Sequence, residues 1–169
     1  MADRLEHPRD GPPASFGLRL AAMVYEGVLL FGVTFAVALA LLASLGWTYP
    51  LSTPQRIVLQ VALFVAVGIY FVWCWTRSGQ TLALKTWKLR VAGPNGAPPT
   101  APRAVARYVL AWHLFLPGLV YIVVSDAQRT AGLAALAIGF ALLLLPALWD
   151  RDRRLLHDRW TRTRIVRER

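Results

Sequence analysis

The chain has 169 residues, of which 56% are hydrophobic, and a formal net charge of +10 at neutral pH. A soluble domain of this size is about half apolar or less, so a single membrane domain is the expected class. The basic residues flank apolar runs and form no groove-reading motif, which argues against a nucleic-acid partner and for anchoring at an anionic membrane face.

Residues 1–17 are polar and rich in Pro and Gly and read as a flexible cytoplasmic tail. No apolar signal core precedes the first long apolar run, so a cleaved signal peptide is not expected. Four segments then approach the roughly 20 residues a helix needs to span a bilayer. They are 20–45, 57–75, 104–124 and 131–149. Pro117 and Pro146 fall inside the last two and are expected to kink them. Trp47, Tyr49, Trp73, Trp75 and Trp149 lie near the ends, where amphipathic rings favour the headgroup region.

The connections between spans are unequal. Two are short, and the one from Arg77 to Arg103 is long and basic. Lys and Arg number three in the N-terminal tail, five in the long connection and eight in the C-terminal tail, against one in each short loop. The positive-inside rule therefore puts both termini and the long loop in the cytoplasm. Within that loop Thr86–Val91 alternates apolar and polar residues with the period of a strand, while Gln80–Leu89 also reads as an amphipathic interfacial helix. Pro94-Asn95-Gly96 marks a turn. The expected fold is all-α: a four-helix transmembrane bundle over residues 18–166, with an interfacial loop between the second and third spans. Residues 167–169 form a basic end.

Glu26 is the residue that most needs a partner, because a carboxylate within an apolar span is costly. It stands two turns past Arg19, about 10 Å along a helix axis. Arg107 enters the third span at a similar depth, so a Glu26–Arg107 pair is the expected contact. Arg19, Glu26 and Arg107 form the expected buried polar centre, closed from the cytoplasm by Asp150, His157 and Asp158. Such a pair either locks helix packing or handles a ligand, and composition leaves both open. His113 reads as a neutral histidine bonded to a neighbouring helix. The outer halves of the spans hold almost nothing ionisable, which opposes a charge pathway through one protomer and leaves room for a homo-oligomer or partner subunit. His157-Asp158 lacks an accompanying nucleophile motif, so no enzyme activity is expected. Cys74 is the single cysteine and there are three histidines, so neither a metal site nor a cofactor is expected.

Four stretches resemble one family. GLRLAAMVYEGVLL resembles the opening of the RDD family of small bacterial integral membrane proteins, with Arg19 and Glu26 at its basic and acidic positions. SGQTLALKTWKLRV is similar to its Gly-Gln-Thr-Leu segment, PRAVARYVLAW carries its arginine at Arg107, and LLHDRWTRTRIV resembles its close at His157, Asp158, Thr163 and Arg164. The chain departs from the family pattern in having Glu26 where Asp is usual and Ala83 where Gly is common. The resemblance implies a polytopic inner-membrane protein for which transport of an ion or small solute is the suggested role. The alternative is a non-catalytic scaffold or accessory subunit that binds anionic lipid headgroups.

Overall fold

In the computed structural model, residues 14–113, 129–145 and 155–168 are described. Two long helices dominate. Helix α1 covers Phe16–Leu45 and α2 covers Thr53–Arg77. At 1.5 Å per residue they run about 45 and 37 Å, long enough to cross a bilayer. Their apolar side chains stay uncovered: Val28, Phe31, Phe35 and Ile69 are each more than 60% exposed, as lipid-facing residues are. Ser15 caps α1 by accepting from the Leu18 N–H, and Gly46 ends it in the left-handed conformation at φ 61°. At the start of α2, Gln55 Oε1 accepts from the Ser52 N–H at 2.9 Å.

The long connection folds into α3 (Leu82–Thr86) and strand β1 (Leu89–Ala92). Both readings of this loop therefore hold, in succession. Helix α4 (Ala101–Trp112) follows, then α5 (Arg129–Leu144), α6 (Leu156–Trp160) and strand β2 (Arg164–Arg167). Strands β1 and β2 pair antiparallel, with Leu89 opposite Arg167 and Val91 opposite Ile165. The described structure is mostly helical, as expected, and this short sheet is added to it. The alternation at Leu89 and Val91 needs a partner edge, and the C-terminal tail supplies it. Of the four expected spans, α1 and α2 are present as helices of spanning length. The third is described only from its start through His113, and α5 covers residues 131–144 of the fourth; Pro117 and Pro146 lie outside the described residues.

The buried charged side chains gather at one end of the α1–α2 pair. The Ala14 N–H donates to the Ile165 carbonyl at 3.2 Å, which ties the start of α1 to β2. Helix α4 lies against α2 through Gly68. A Cβ at that position would come within 2.8 Å of the Tyr108 ring, so the absent side chain sets the helix separation. Tyr108 O–H donates to the Phe64 carbonyl at 2.7 Å, holding the ring in place.

Gly79 is the hinge between α2 and the sheet. Its φ is +75°, and a Cβ would meet the Val91 carbonyl oxygen at 2.6 Å. Its own carbonyl accepts from the Val91 N–H at 2.8 Å. Gly79→Ala is therefore expected to cost about 2 kcal/mol or more, from left-handed strain and backbone collision together. Thermal unfolding of the detergent-solubilised variant measures this; an unchanged midpoint would refute it.

Candidate functional site

The C-terminal segment builds the anchor of the site. In α6, Asp158 is fully buried, and one of its oxygens accepts from the Leu155 N–H at 3.1 Å, closing the first turn. The remaining carboxylate capacity faces arginines. Arg107 Nη1 on α4 donates to Asp158 Oδ1 and also to Thr163 Oγ1 at 2.6 Å. Arg19 Nη1 on α1 lies 3.5 Å from Asp158 Oδ2, while its Nη2 donates to the Ile165 carbonyl at 3.0 Å. Arg107 also stacks over Trp75, with 5.0 Å from guanidinium to ring centroid. Thus α1, α4 and α6 meet at one carboxylate, and α2 and β2 are joined to it through Arg107 and Arg19. Burial opposes ionisation of Asp158, but the charges of Arg107 and Arg19, joined in the acid range by that of His157, outweigh it and hold the carboxyl below its usual range.

Glu26 is set apart from this clasp. Tyr70 O–H on α2 donates to Glu26 Oε1 at 2.8 Å, and Thr81 Oγ1 donates to Oε2. Thr81 is also the N-cap of α3, its hydroxyl accepting from the Leu84 N–H. The expected Glu26–Arg107 pair is therefore corrected. Arg107 pairs with Asp158, and Glu26 is held by two neutral hydroxyls. The reason is positional: Asp158 returns on the tail directly against α4, and Thr81 on the loop reaches Glu26 first.

The other expected residues divide. His157 joins the cluster, its Nε2 3.4 Å from Asp158 Oδ1. Burial first, then the nearby arginines, push it down to about 4 against the opposing pull of Asp158, so it is neutral at physiological pH. His113 ends α4, with Nδ1 against the Leu110 carbonyl and its ring 5.2 Å from Trp160. Its contacts are thus to its own helix and to the docked tail. Asp150 lies outside the described residues. Sequence reasoning misses Tyr70, Trp75, Thr81 and Thr163 as site residues. Thr81 and Thr163 lie in the family-like stretches, and that is the available signal for them. Tyr70 and Trp75 carry none, being aromatics in an apolar span.

Glu26, Arg19, Arg107 and His157 all line one cavity of about 360 Å³ between α1, α2, α4 and the tail. Apart from these groups and Thr81 its walls are mainly apolar and aromatic, including Met23, Leu30, Phe71 and Trp112. The arrangement offers charged and hydrogen-bonding groups at one end of a greasy chamber. Among the described residues that line it there is no Ser or Cys nucleophile, and the one lining threonine is engaged by Glu26.

The RDD family model matches residues 13–162. No curated protein and no solved structure matches the chain. The match takes in α1 with Arg19 and Glu26, the Gly79–Leu82 turn, Arg107 and Asp158, the residues that the fold brings to one end of α1 and α2. With those positions assembled, and two helices of membrane-spanning length among the described residues, this membrane protein belongs to the RDD family.

Proposed function

We propose that the chain is a multi-pass protein of the bacterial inner membrane, N-in and C-in, that moves an ion or small solute through the cavity beside Glu26 and has no enzymatic activity. The observation that carries this reading is the state of Glu26. Its carboxylate lines the cavity and is held by two hydroxyls, with no cation bonded to it among the described residues. A purely structural carboxylate at this depth is expected to be neutralised by an arginine, as Asp158 is. The gathering of α1's start, the long loop and β2 at one end supports a shared face for them, and their charge supports the cytoplasmic side.

Glu26→Gln tests it. The amide keeps an acceptor for Tyr70 or Thr81 while removing charge and proton exchange. In proteoliposomes carrying an entrapped pH indicator and imposed gradients of inorganic ions, the parent is expected to carry flux and the variant to lose about tenfold or more, the usual scale for a positioned proton-transfer group. Abundance and unfolding midpoint should stay near the parent. Equal flux per folded molecule, with reduced abundance, would refute the carrier reading.

The second reading is a scaffold or accessory subunit that holds anionic lipid headgroups and a partner copy. The Arg19–Asp158–Arg107 clasp favours it, because a group bonded to this many elements serves docking of the tail. The basic tail would add about 1 kcal/mol of headgroup attraction per nearby Lys or Arg.

A further inference from the structure

The two connectors that end in the sheet are built alike. At one constant offset, which takes Thr81 to Leu155, the backbone repeats its geometry. Thr81 and Leu155 are extended N-caps, at φ −81°, ψ 171° and φ −71°, ψ 166°, and each opens a helix of five residues. The Lys85 N–H donates to the Thr81 carbonyl at 2.9 Å, and the Arg159 N–H to the Leu155 carbonyl at 3.1 Å. The Trp87 N–H donates to the Ala83 carbonyl at 3.3 Å, and the Thr161 N–H to the His157 carbonyl at 3.1 Å. A basic residue in the left-handed region then turns the chain into a strand, Lys88 at φ 51° and Arg162 at φ 52°. Residues other than glycine rarely adopt that conformation, so its recurrence at the equivalent place is specific. Burial repeats as well. Leu84 and Asp158 are buried, Lys85 and Arg159 exposed, Arg90 and Arg164 half-buried.

The strand register extends the match. Val91 and Ile165 are equivalent at this offset, and they stand opposite each other. An antiparallel pair centred on two equivalent residues has a local two-fold axis through that pair. Each connector also holds a charged residue on the first helix of its own unit. From α3, Thr81 bonds Glu26 on α1; from α6, Asp158 bonds Arg107 on α4. Among the described residues the chain runs helix, helix, short helix, strand, twice over.

The cavity lies between these two units. Glu26 and Phe71 line it from the first, Tyr108 and Trp112 from the second, and Val91 and Ile165 on the axis. Sites between repeated units of membrane carriers are opened by one unit moving against the other. Two joins hold the units here. Helices α2 and α4 pack closely at Gly68 and Tyr108. At the sheet, a ladder of four residues a strand is supported by Arg19 on Asp158 and by Gln80 Nε2 donating to Glu168 at 3.1 Å. A two-stranded ladder is marginal by itself, which makes the sheet the join that parts and the helix contact the pivot.

We propose that the chain up to β1 and the chain from α4 onward are two copies of one unit, and that β1 and β2 form a gate to the cavity, parting as one unit swings about the α2–α4 contact. The inference deepens the proposed function by giving its cavity an entry step, and it rests on that reading.

The test locks the gate. The Val91 N–H is taken by Gly79, and the Ile165 carbonyl by Ala14 and Arg19, so this pair exchanges no ladder bonds. Cα atoms of such a pair stand about 4.5 Å apart, within the about 4.4–6.8 Å that a disulfide bridges. Val91→Cys with Ile165→Cys, in a Cys74→Ala background, is oxidised in phosphatidylcholine nanodiscs. Lys88→Cys with Glu168→Cys is a second latch on the same register, at two exposed residues off the cavity wall, where the Glu168 N–H donates to the Lys88 carbonyl at 2.8 Å. The readout is the rate at which a water-soluble carbodiimide with glycinamide modifies Glu26, followed by peptide mass. Oxidation is expected to slow that rate about tenfold or more for both pairs, and dithiothreitol to restore it. The reduced variants should label and unfold as the parent does. Bridges that form yet leave the rate unchanged overturn the gate, and so does failure of both folded pairs to oxidise. Flux in proteoliposomes separates the two readings. Latch-sensitive labelling with no flux in the parent would overturn the carrier reading and leave the gate standing; parent flux that persists with the gate locked would do the reverse.

Discussion

Asp158→Ala is expected to destabilise the protein by about 3–5 kcal/mol, because it takes a shared carboxylate away from two buried guanidiniums. Arg19 and Arg107 are each 3% exposed, and Asp158 is the carboxylate they share. The change also frees the Leu155 N–H at the start of α6 and loosens β2, since Arg19 bonds the Ile165 carbonyl and Arg107 bonds Thr163. Denaturant unfolding in detergent, read together with membrane abundance, measures the loss. Adding Arg107→Met should recover part of it, with a coupling of about 0.5–3 kcal/mol expected for residues in direct contact. A single variant within about 1 kcal/mol of the parent, a margin typical of exposed pairs, would show that Asp158 is not the hub of the clasp.

The second large effect is a loss of stability on mild acidification. His157 has a folded-state pKa near 4, against an ordinary value of 6.5. Between these values the unfolded chain binds a proton that the folded chain refuses, so stability rises with pH there and falls as pH drops. The contribution is whole above pH 6.5 and is lost progressively down to about 4, to a total of about 3 kcal/mol at about 1.4 kcal/mol per unit. Asp158 acts in the same direction at lower pH. Its folded pKa lies below its ordinary 3.8, so its contribution is present above that value and is lost as pH falls through the folded pKa. His157→Gln should flatten the upper window and narrow the lower one without removing it, because Arg107 and Arg19 still act on Asp158. Unfolding midpoints at half-unit steps from about pH 8 to about 2 distinguish the two; a parent curve flat from 6.5 to 4 would refute the assignment.

The members of the clasp are legible in the sequence one by one, and their pairing is not. Arg19, Arg107, His157 and Asp158 stand out as charged or titratable groups beside apolar runs, and depth along a helix places Arg107 level with Glu26. Depth is a coordinate along one axis only. It cannot tell which of two carboxylates on separate chain segments comes against a given guanidinium. That choice belongs to the tail, which folds back through α6 and places Asp158 on Arg107. Likewise Tyr70 reads as one aromatic among many in α2, until packing turns its hydroxyl onto Glu26.

The strands show the same division. Alternation over Thr86–Val91 carries a period-two signal in the sequence, yet Arg164–Arg167 reads only as part of a basic tail. A four-residue strand with charged ends acquires its identity from the edge it meets, here β1. Gly79, with φ +75°, permits that meeting by letting Val91 approach its backbone.

Membrane class, the two long spans and the concentration of basic residues in the segments that come together are all written in the linear chain. Those properties depend on composition and one-dimensional periodicity, which bilayer thickness and solvation free energy read directly. Which charge meets which, the two-stranded sheet, and the cavity between α1, α2, α4 and the tail emerge only on folding. They depend on contacts between segments as much as 146 residues apart in the chain, where direction and distance in three dimensions select the partner.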